Sequence, residues 1–420
     1  MQRDAARALA TAIADRLASP SDARDLGLAR GWWPQSLAHG AAGVALLHIE
    51  RARAGLAPWQ RAHDWLTTAA HGQISAGEGS HLHYGAPALA FALHGAADQP
   101  GRYVRALDIL DPHIAATTRR RIERAHTRMG RGDLPALAEF DAIRGLTGIG
   151  AYLLRRDRHA DLIRAVLSYL VWLTEPVTDG GEVLPGWWTG LGPAGRPSVD
   201  FPGGHANSGV AHGIAGPLTL LATAMRRNVT VAGQADAIGR ICAWLDQWRQ
   251  NGDAGPWWPY WVTRAQLRDG RPSLPGPSRP SWCYGTAGLA RAQQLAGLAI
   301  GDTARQHMAE SALASALTDP GQLAATTDLS LCHGYAGLLH ITGRAATDAI
   351  TPALAGCLPR LLDAIVPNSA YTDQLAASLL PSPTDDFGLL EGAAGIALAL
   401  HTAGTGTPPA SGWDSCLLIS

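Results

Sequence analysis

Residues Gly40–His48 read GAAGVALLH, and the same pattern, Gly-x-x-Gly followed by small and apolar residues, recurs along the chain. The seven copies begin at Gly40, Gly85, Gly145, Gly213, Gly285, Gly334 and Gly392, and only the second copy replaces its second glycine, with Ala88. Successive copies start 45, 60, 68, 72, 49 and 58 residues apart, which leaves room for two helices and their connections in each repeat.

Amphipathic stretches separate these glycine motifs. In Ala160–Leu173 and Ala235–Arg249 the apolar residues recur every three or four positions, which is typical of helices that bury one face. The helix that follows each Gly-x-x-Gly motif is apolar on nearly all sides and has to be buried all round. We therefore predict an all-α fold, an α/α toroid of seven inner and seven outer helices over residues 1–420. An open solenoid is the alternative, but it needs polar capping repeats, and none stands out at either end.

Three stretches are longer than the repeat requires. Residues 98–134, with the basic run Arg119–Arg121, lie between repeats two and three, and either a small inserted subdomain or a solvated charged helix fits them. Glu175–Asn207 and Gly252–Trp282 are rich in glycine, proline and aromatic residues. Within the second of these, Trp261–Pro272 carries an Asp-Gly pair that predicts a β-hairpin.

The aromatic side chains of these two loops have two interpretations. Either they pack beneath the loops, or they form a wall for a bound peptide, with Trp257 and Trp261 bordering the groove. The residues concerned are Trp187, Trp188, Trp257, Trp258, Tyr260 and Trp261.

The composition excludes several classes of function. The net charge is −1 over 420 residues, so the protein has no basic field to bind nucleic acid or anionic lipid. All 34 cationic side chains are Arg, which excludes lysine chemistry. Apolar runs are too short to span a membrane, and Asp4 and Asp15 interrupt the N-terminus, so no export signal is expected. Five scattered cysteines fit a reducing cytoplasm better than a disulfide scaffold.

The repeat register brings candidate functional residues together. The first glycines are preceded by His39, Tyr84, Arg144, His212, Tyr284, His333 and Glu391, which in a closed ring should converge on one face. One position earlier, repeats five and six carry Cys283 and Cys332, so these thiols should face one another, with His333 adjoining. Two thiolates and an imidazole suit zinc and leave one tetrahedral position open, as in a catalytic site that binds and activates a thiol.

Structural interpretations of the same residues stay open on sequence alone. A free cysteine is most often simply buried. His212 could transfer a proton or merely end a helix. Asp141 could cap the helix that follows it, and Arg279 could be a surface charge.

Five segments together resemble the lanthipeptide cyclase family, also called LanC. They are SWCYGTAG (281–288), LCHGYAG (331–337), AHGIAG (211–216), FDAIRGLTGIGAYLL (140–154) and the C-terminal WDSCLLIS. The resemblance covers essentially the whole chain. One departure is Ala287, where family members often have proline before the last glycine of the WCYG motif.

The resemblance implies an α/α toroid with one Zn²⁺ per chain, held by Cys283, Cys332 and His333. It implies addition of a peptide cysteine thiol to dehydroalanine or dehydrobutyrine, which forms lanthionine or methyllanthionine rings. The matching positions make His212 the acid that protonates the enolate, and Asp141 the residue that orients it or accepts a proton. Arg279 and Tyr284 would line the site.

The resemblance also implies partners. The first repeat begins near the N-terminus, so we expect a stand-alone cytoplasmic cyclase that acts on a dehydrated precursor peptide. A separate dehydratase would prepare that peptide, and the assembly could associate with a membrane transporter. Two alternatives stay open: a relative that handles glutathione or binds peptide without catalysis, and a glycosidase using Asp141 and Glu391.

Overall fold

The protein is described by a computed structural model that covers residues 2–21, 32–253, 255–274, 276–367, 371–380 and 387–420. Residues 254 and 275, which belong to the second predicted aromatic loop, lie outside this description. Within the described residues, no helix combines the length and apolar character that crossing a membrane requires.

The described residues are predominantly helical. In chain order the helices are α1 (Gln2–Arg16), α2 (Ala41–Arg53), α3 (Trp59–Ala69), α4 (Ala86–Ala96), α5 (Val104–Arg131), α6 (Leu137–Phe140), α7 (Leu146–Arg156), α8 (Ala160–Leu173), α9 (Ala215–Arg226), α10 (Gln234–Trp248), α11 (Arg264–Asp269), α12 (Thr286–Ile300), α13 (Thr303–Thr318), α14 (Pro320–Ala324), α15 (Tyr335–Asp348), α16 (Ala353–Ile365), α17 (Thr372–Ser378) and α18 (Ala393–Thr405). The short strands are β1 (Val177–Asp179), β2 (Glu182–Leu184), β3 (His205–Asn207), β4 (Gln250–Gly252), β5 (Gly255–Trp257) and β6 (Trp261–Thr263).

The chain divides into two compact units. The first comprises Met1–Ile114, Thr327–Thr347 and Ala355–Asp414, and the second comprises Ala115–Thr326, Asp348–Leu354 and Ser415–Ser420. In both units the helices that follow the glycine motifs are buried on nearly every side, as the sequence predicts. Residues Val104–Arg131 of the stretch 98–134 form one helix of 28 residues, α5.

In the first unit, the turns that precede the inner helices are joined by backbone hydrogen bonds. The N–H of Cys332 donates to the carbonyl of Leu390 (2.8 Å), linking repeats six and seven. The N–H of Leu389 donates to the carbonyl of Leu37 (3.0 Å), and the N–H of Leu37 donates to the carbonyl of His83 (3.0 Å). The seventh repeat therefore adjoins the first, and α1 packs on α18, an arrangement that an open solenoid would not have.

The second unit repeats this pattern for the third, fourth and fifth copies. The N–H of Ala142 donates to the carbonyl of Ala211 (3.1 Å), and the N–H of Val210 donates to that of Cys283 (3.1 Å). The amphipathic helices α8 and α10 and the inner helices α7, α9 and α12 pack together. The sequence of each turn therefore fixes where the residue before the glycine is presented.

The second glycine of the motif permits this turn. A Cβ on Gly288 would lie 2.2 Å from the carbonyl oxygen of Trp282, and one on Gly337 would lie 2.2 Å from that of Leu331. Gly216 has the same relation to Val210, at 2.6 Å. Each turn thus folds back onto the start of its own inner helix at a distance that only glycine allows.

The β-hairpin predicted for Trp261–Pro272 is wrong. This segment forms β6 followed directly by α11, and Gly270 ends the helix in the left-handed conformation (φ +67°). The side chain of Thr263 accepts the N–H of Gln266, and the Gln266 side chain accepts the N–H of Thr263, which is a capping box. An Asp-Gly pair suits a helix C-terminus as well as a hairpin turn, and the cap decides between them.

Candidate metal and catalytic site

The turn before α12 carries Cys283 in a buried position, with 8% of its surface exposed. The fully buried Ser281 fixes this turn, because its hydroxyl donates to the carbonyl of Tyr284 and accepts the N–H of the same residue. The Ser281 Oγ also lies 3.5 Å from the Cys283 Sγ. The carbonyl of Cys283 accepts the N–H groups of Val210 and Ala211, so this turn is joined to the turn that carries His212.

The turn before α15 presents Cys332 and His333, both half-buried. Its geometry depends on Asp328, whose Oδ1 accepts the N–H of Ser330 (2.7 Å). The Ser330 hydroxyl in turn accepts the N–H of His333 (3.2 Å). A Cβ on Gly334 would lie 2.4 Å from the Asp328 Oδ1, so this compact turn requires glycine there.

The predicted thiol and imidazole donors lie close together. The Sγ atoms of Cys283 and Cys332 and a ring nitrogen of His333 are all within 4.8 Å of one another, and they form the one such cluster found among the described residues. Burial raises the pKa of Cys242 to about 11, so that thiol stays protonated at neutral pH. Two thiols and one imidazole form a donor set that suits zinc and leaves a fourth position for a ligand.

Asp328 is a site residue that the sequence analysis missed. Its Oδ2 lies 3.5 Å from Nε2 of His333. A metal-binding imidazole is commonly oriented by a carboxylate on its other nitrogen. The signal that could have found it is an aspartate at the start of the turn that ends in Cys-His-Gly, but many aspartates begin turns without this role.

His212 and Asp141 form a close pair. Nδ1 of His212 lies 2.7 Å from Oδ2 of Asp141, which is 1% exposed. The other carboxylate oxygen accepts the N–H groups of Arg144 (2.6 Å) and Gly145 (2.8 Å) in the turn before α7. The predicted cap on the following helix is not formed, because α7 begins after Gly145 without a side-chain cap. One oxygen of Asp141 instead holds the turn before α7, and the other faces the imidazole. His212 itself is half-buried.

Arg279 and Tyr284 belong to the same neighbourhood as Cys283. The hydroxyl of Tyr260 donates to the carbonyl of Arg279 (2.7 Å). Burial raises the pKa of Tyr260 to about 12, with Arg279 opposing the shift and Cys283 adding to it. Within the described structure, the buried Nε of Arg279 has no hydrogen-bond partner. Tyr284 accepts a hydrogen bond from the buried Asn207 at its hydroxyl oxygen (3.1 Å), and Asn207 also escaped the sequence analysis.

The aromatic residues of the two loops separate into two groups. Trp187, Trp188, Trp257 and Trp258 are at most 5% exposed and pack beneath the loops. Trp261 and Tyr260 are half-buried and form a ring cluster with Tyr284 and Phe201. The predicted role of Trp257 at a groove is therefore wrong, because that side chain is only 5% exposed. The prediction for Trp261 stays a prediction.

Glu391, the second carboxylate of the glycosidase hypothesis, is exposed. The carboxylate of Asp141, the first, is already occupied by His212 and by the N–H groups of Arg144 and Gly145. A glycosidase needs two carboxyl groups that are free to act on the sugar, and Asp141 does not meet this requirement.

Comparisons with known proteins agree with this geometry. The profile of the lanthionine synthetase C-like protein family matches residues 31–418. The chain therefore belongs to the lanthionine synthetase C-like family.

Two individual relatives extend this result. The nisin biosynthesis protein NisC of Lactococcus lactis subsp. lactis is 25% identical over 263 residues, and the match spans 62% of this chain and 60% of that protein. A solved structure of nisin cyclase superposes with a TM-score of 0.78 at 21% identity and covers 98% of this chain and 96% of that one. This likeness confirms the predicted fold class, an α/α toroid.

Proposed function

We propose that the protein is a zinc-dependent lanthipeptide cyclase that closes thioether rings in a dehydrated precursor peptide. The observation that carries the proposal is the convergence of Cys283, Cys332 and His333 within 4.8 Å. Family membership and the presence of the His212 and Asp141 pair support it. Zinc, when bound by these three residues, would supply a positive charge that keeps the substrate cysteine as a nucleophilic thiolate at neutral pH.

Closure of a ring needs no oxidant or reductant, because a thiol adds to an alkene. The thiolate sulfur forms a bond to the β-carbon of a dehydroalanine or dehydrobutyrine, and the alkene electron pair moves towards the carbonyl to give an enolate. His212 then gives a proton to the α-carbon. The proton released when the substrate thiol becomes a thiolate restores the imidazole, so one thiol and one alkene give one thioether.

The chain's own residues suit the proton transfer. A carboxylate can only accept, so the bond to Asp141 places a hydrogen on Nδ1 of His212 and leaves Nε2 to exchange the proton with the substrate. The Nε of Arg279, which has no partner within the described part of the chain, and the hydroxyl of Tyr284 would stabilise negative charge that develops on the enolate oxygen. The substrate itself, and therefore the number and order of rings, is set by contacts beyond these groups.

We further propose that the cyclase works with a dehydratase and a membrane transporter. A separate dehydratase would convert serine and threonine of the precursor into the dehydro residues. The cyclase would act in the cytoplasm, in an assembly that associates with a membrane transporter.

The direct test is mass spectrometry of a dehydrated peptide before and after incubation with the protein. Thioether formation leaves the mass unchanged but removes a free thiol, so each closed ring lowers the number of alkylation adducts by one. The matched control is His212→Asn, which should keep zinc and the fold yet slow ring closure. Full thiol alkylation after incubation would contradict the proposal, and glutathione adducts formed in its place would favour a glutathione-handling enzyme.

A further inference from the structure

The side-chain amide of Asn207 has one defined orientation. Asn207 lies at the end of β3 and is fully buried. Its Oδ1 accepts the backbone N–H of Gly209 (3.0 Å), and a backbone N–H can only donate. The Nδ2 group must therefore face Tyr284, where it donates to the phenolic oxygen (3.1 Å).

The hydrogen bond from Asn207 determines what the phenol can do next. Because the amide occupies a lone pair of the Tyr284 oxygen, the hydroxyl hydrogen has to be directed away from Asn207. The ring itself is held by Tyr260, with centroids 5.2 Å apart, and by Trp261, at 6.1 Å. A Cβ on Gly209 would lie 2.8 Å from the Tyr284 ring, so the missing side chain admits the ring to this position.

The same end of β3 connects the Tyr284 phenol to the turn that carries His212. The backbone carbonyl of Asn207 accepts the N–H of Ile214 (2.9 Å), which closes the turn that carries His212. On its other side, β3 pairs with β6, so that Asn207 faces Trp261. Asn207 therefore lies where the strand, the His212 turn and the Cys283 turn meet.

We propose that Asn207 is a positioning residue that fixes the hydroxyl of Tyr284 as a hydrogen-bond donor towards the enolate oxygen of the substrate. This inference rests on the proposed cyclase function. Accepting the amide N–H also makes the phenol a better donor, because hydrogen bonds in a chain polarise one another. Asn207 touches no substrate and acts entirely through Tyr284.

The discriminating variant is Asn207→Asp, which has the same shape but replaces the donor by an acceptor. The hydroxyl of Tyr284 would then donate to the introduced carboxylate and be lost to the substrate. We expect kcat to fall about 100-fold, as for removal of a donor to a developing oxyanion, with a small change in KM. Asn207→Ala removes the donor without adding an acceptor, and its kcat should lie between those of the wild type and Asn207→Asp.

Tyr284→Phe supplies the control for a purely structural effect. In that background Asn207→Asp should change kcat by less than about twofold, since the group through which it acts is gone. The assay follows ring closure in synthetic peptides that each carry one cysteine and one dehydroalanine at different separations. Equal losses in the presence and absence of the Tyr284 hydroxyl would overturn the proposal.

A second measurement does not depend on turnover. Tyrosine labelled with ¹³C at Cζ reports whether its hydroxyl accepts or donates, and Tyr284→Phe assigns the resonance. In Asn207→Asp we expect the Tyr284 signal to move downfield relative to the wild type. An unmoved signal would overturn the inference even if the wild type proved inactive on every peptide, whereas inactivity with the expected shift would count only against the cyclase function.

Discussion

Asp141 divides its carboxylate between two tasks. One oxygen accepts the N–H groups of Arg144 and Gly145 in the turn before α7, and the other lies against Nδ1 of His212. A single residue thus couples the turn before an inner helix to the orientation of the imidazole. Substitutions that remove one or both oxygens of Asp141 can therefore separate its effect on stability from its effect on catalysis.

Asp141→Asn and Asp141→Ala should make that separation. Asparagine keeps an oxygen for the N–H groups of Arg144 and Gly145 but turns an amide N–H towards His212, which disfavours the required tautomer. Alanine removes both contacts and should cost about 1 to 3 kcal/mol, because the N–H groups of Arg144 and Gly145 lose their acceptor. We expect ring closure to slow in both variants and the melting temperature to fall only in Asp141→Ala. Wild-type turnover in Asp141→Asn would remove this residue from the mechanism.

Asp328 should tune the metal rather than the proton transfer. Asp328→Asn keeps the acceptor for the Ser330 N–H but weakens the orientation of His333, and we expect zinc affinity to fall about 10-fold. Competition with a chromophoric chelator measures this directly. Asp319→Asn is the matched control, because Asp319 also accepts a backbone N–H, that of Gln322 in α14, and does not belong to the cluster of Cys283, Cys332 and His333. Equal zinc affinity in both variants would show that Asp328 only shapes its turn.

At the scale of elements, the two tryptophans at the ends of β5 and β6 should behave differently. Trp257 is 5% exposed, and its strand packs against α13, so Trp257→Ala should lose roughly 3 to 5 kcal/mol of stability without changing the kinetics of the folded enzyme. Trp261 is half-buried beside Tyr284, and Trp261→Ala should raise KM with zinc content intact. Thermal unfolding and steady-state kinetics distinguish the two; a Trp261 variant that is only less stable would exclude a peptide contact.

The inner helix α2 makes stability depend on pH through His48. Burial lowers the pKa of His48 from its ordinary 6.5 to about 4, and its Nε2 lies 2.6 Å from the carbonyl of Leu17. Between about pH 4 and pH 6.5 the His48 side chain binds a proton in the unfolded chain but not in the folded protein. The free energy of unfolding is therefore complete above pH 6.5 and falls on acidification towards pH 4, by up to about 1.4 kcal/mol per pH unit.

His48→Gln retains a donor to Leu17 and cannot take up that proton. Urea unfolding at about pH 7 and about pH 5, on either side of the ordinary histidine pKa, should therefore give a smaller difference for His48→Gln than for the wild type. The exposed His71 provides the control variant His71→Gln, which should keep the wild-type difference. Identical pH dependence in all three proteins would contradict the assignment to His48.

For the whole molecule, the repeat made most of the fold predictable. Its register placed Cys283 and Cys332 at equivalent positions, and the structure brings those thiols and His333 together. The prediction of a hairpin over Trp261–Pro272 was wrong because an Asp-Gly pair occurs both in hairpin turns and at helix C-termini. The capping box formed by Thr263 and Gln266 indicates the helix. Asp328 and Asn207 were missed because single side-chain contacts across 5 or 77 positions leave no periodic signal in a sequence.

Elemental analysis of the purified protein tests directly whether Cys283, Cys332 and His333 hold one zinc ion. The wild type should contain one equivalent of zinc, while Cys283→Ala and Cys332→Ala should lose it. Cys357→Ala, which removes a half-exposed thiol outside the cluster, should retain the full equivalent. A full equivalent of zinc in both Cys283→Ala and Cys332→Ala would contradict the assignment of these residues as zinc ligands.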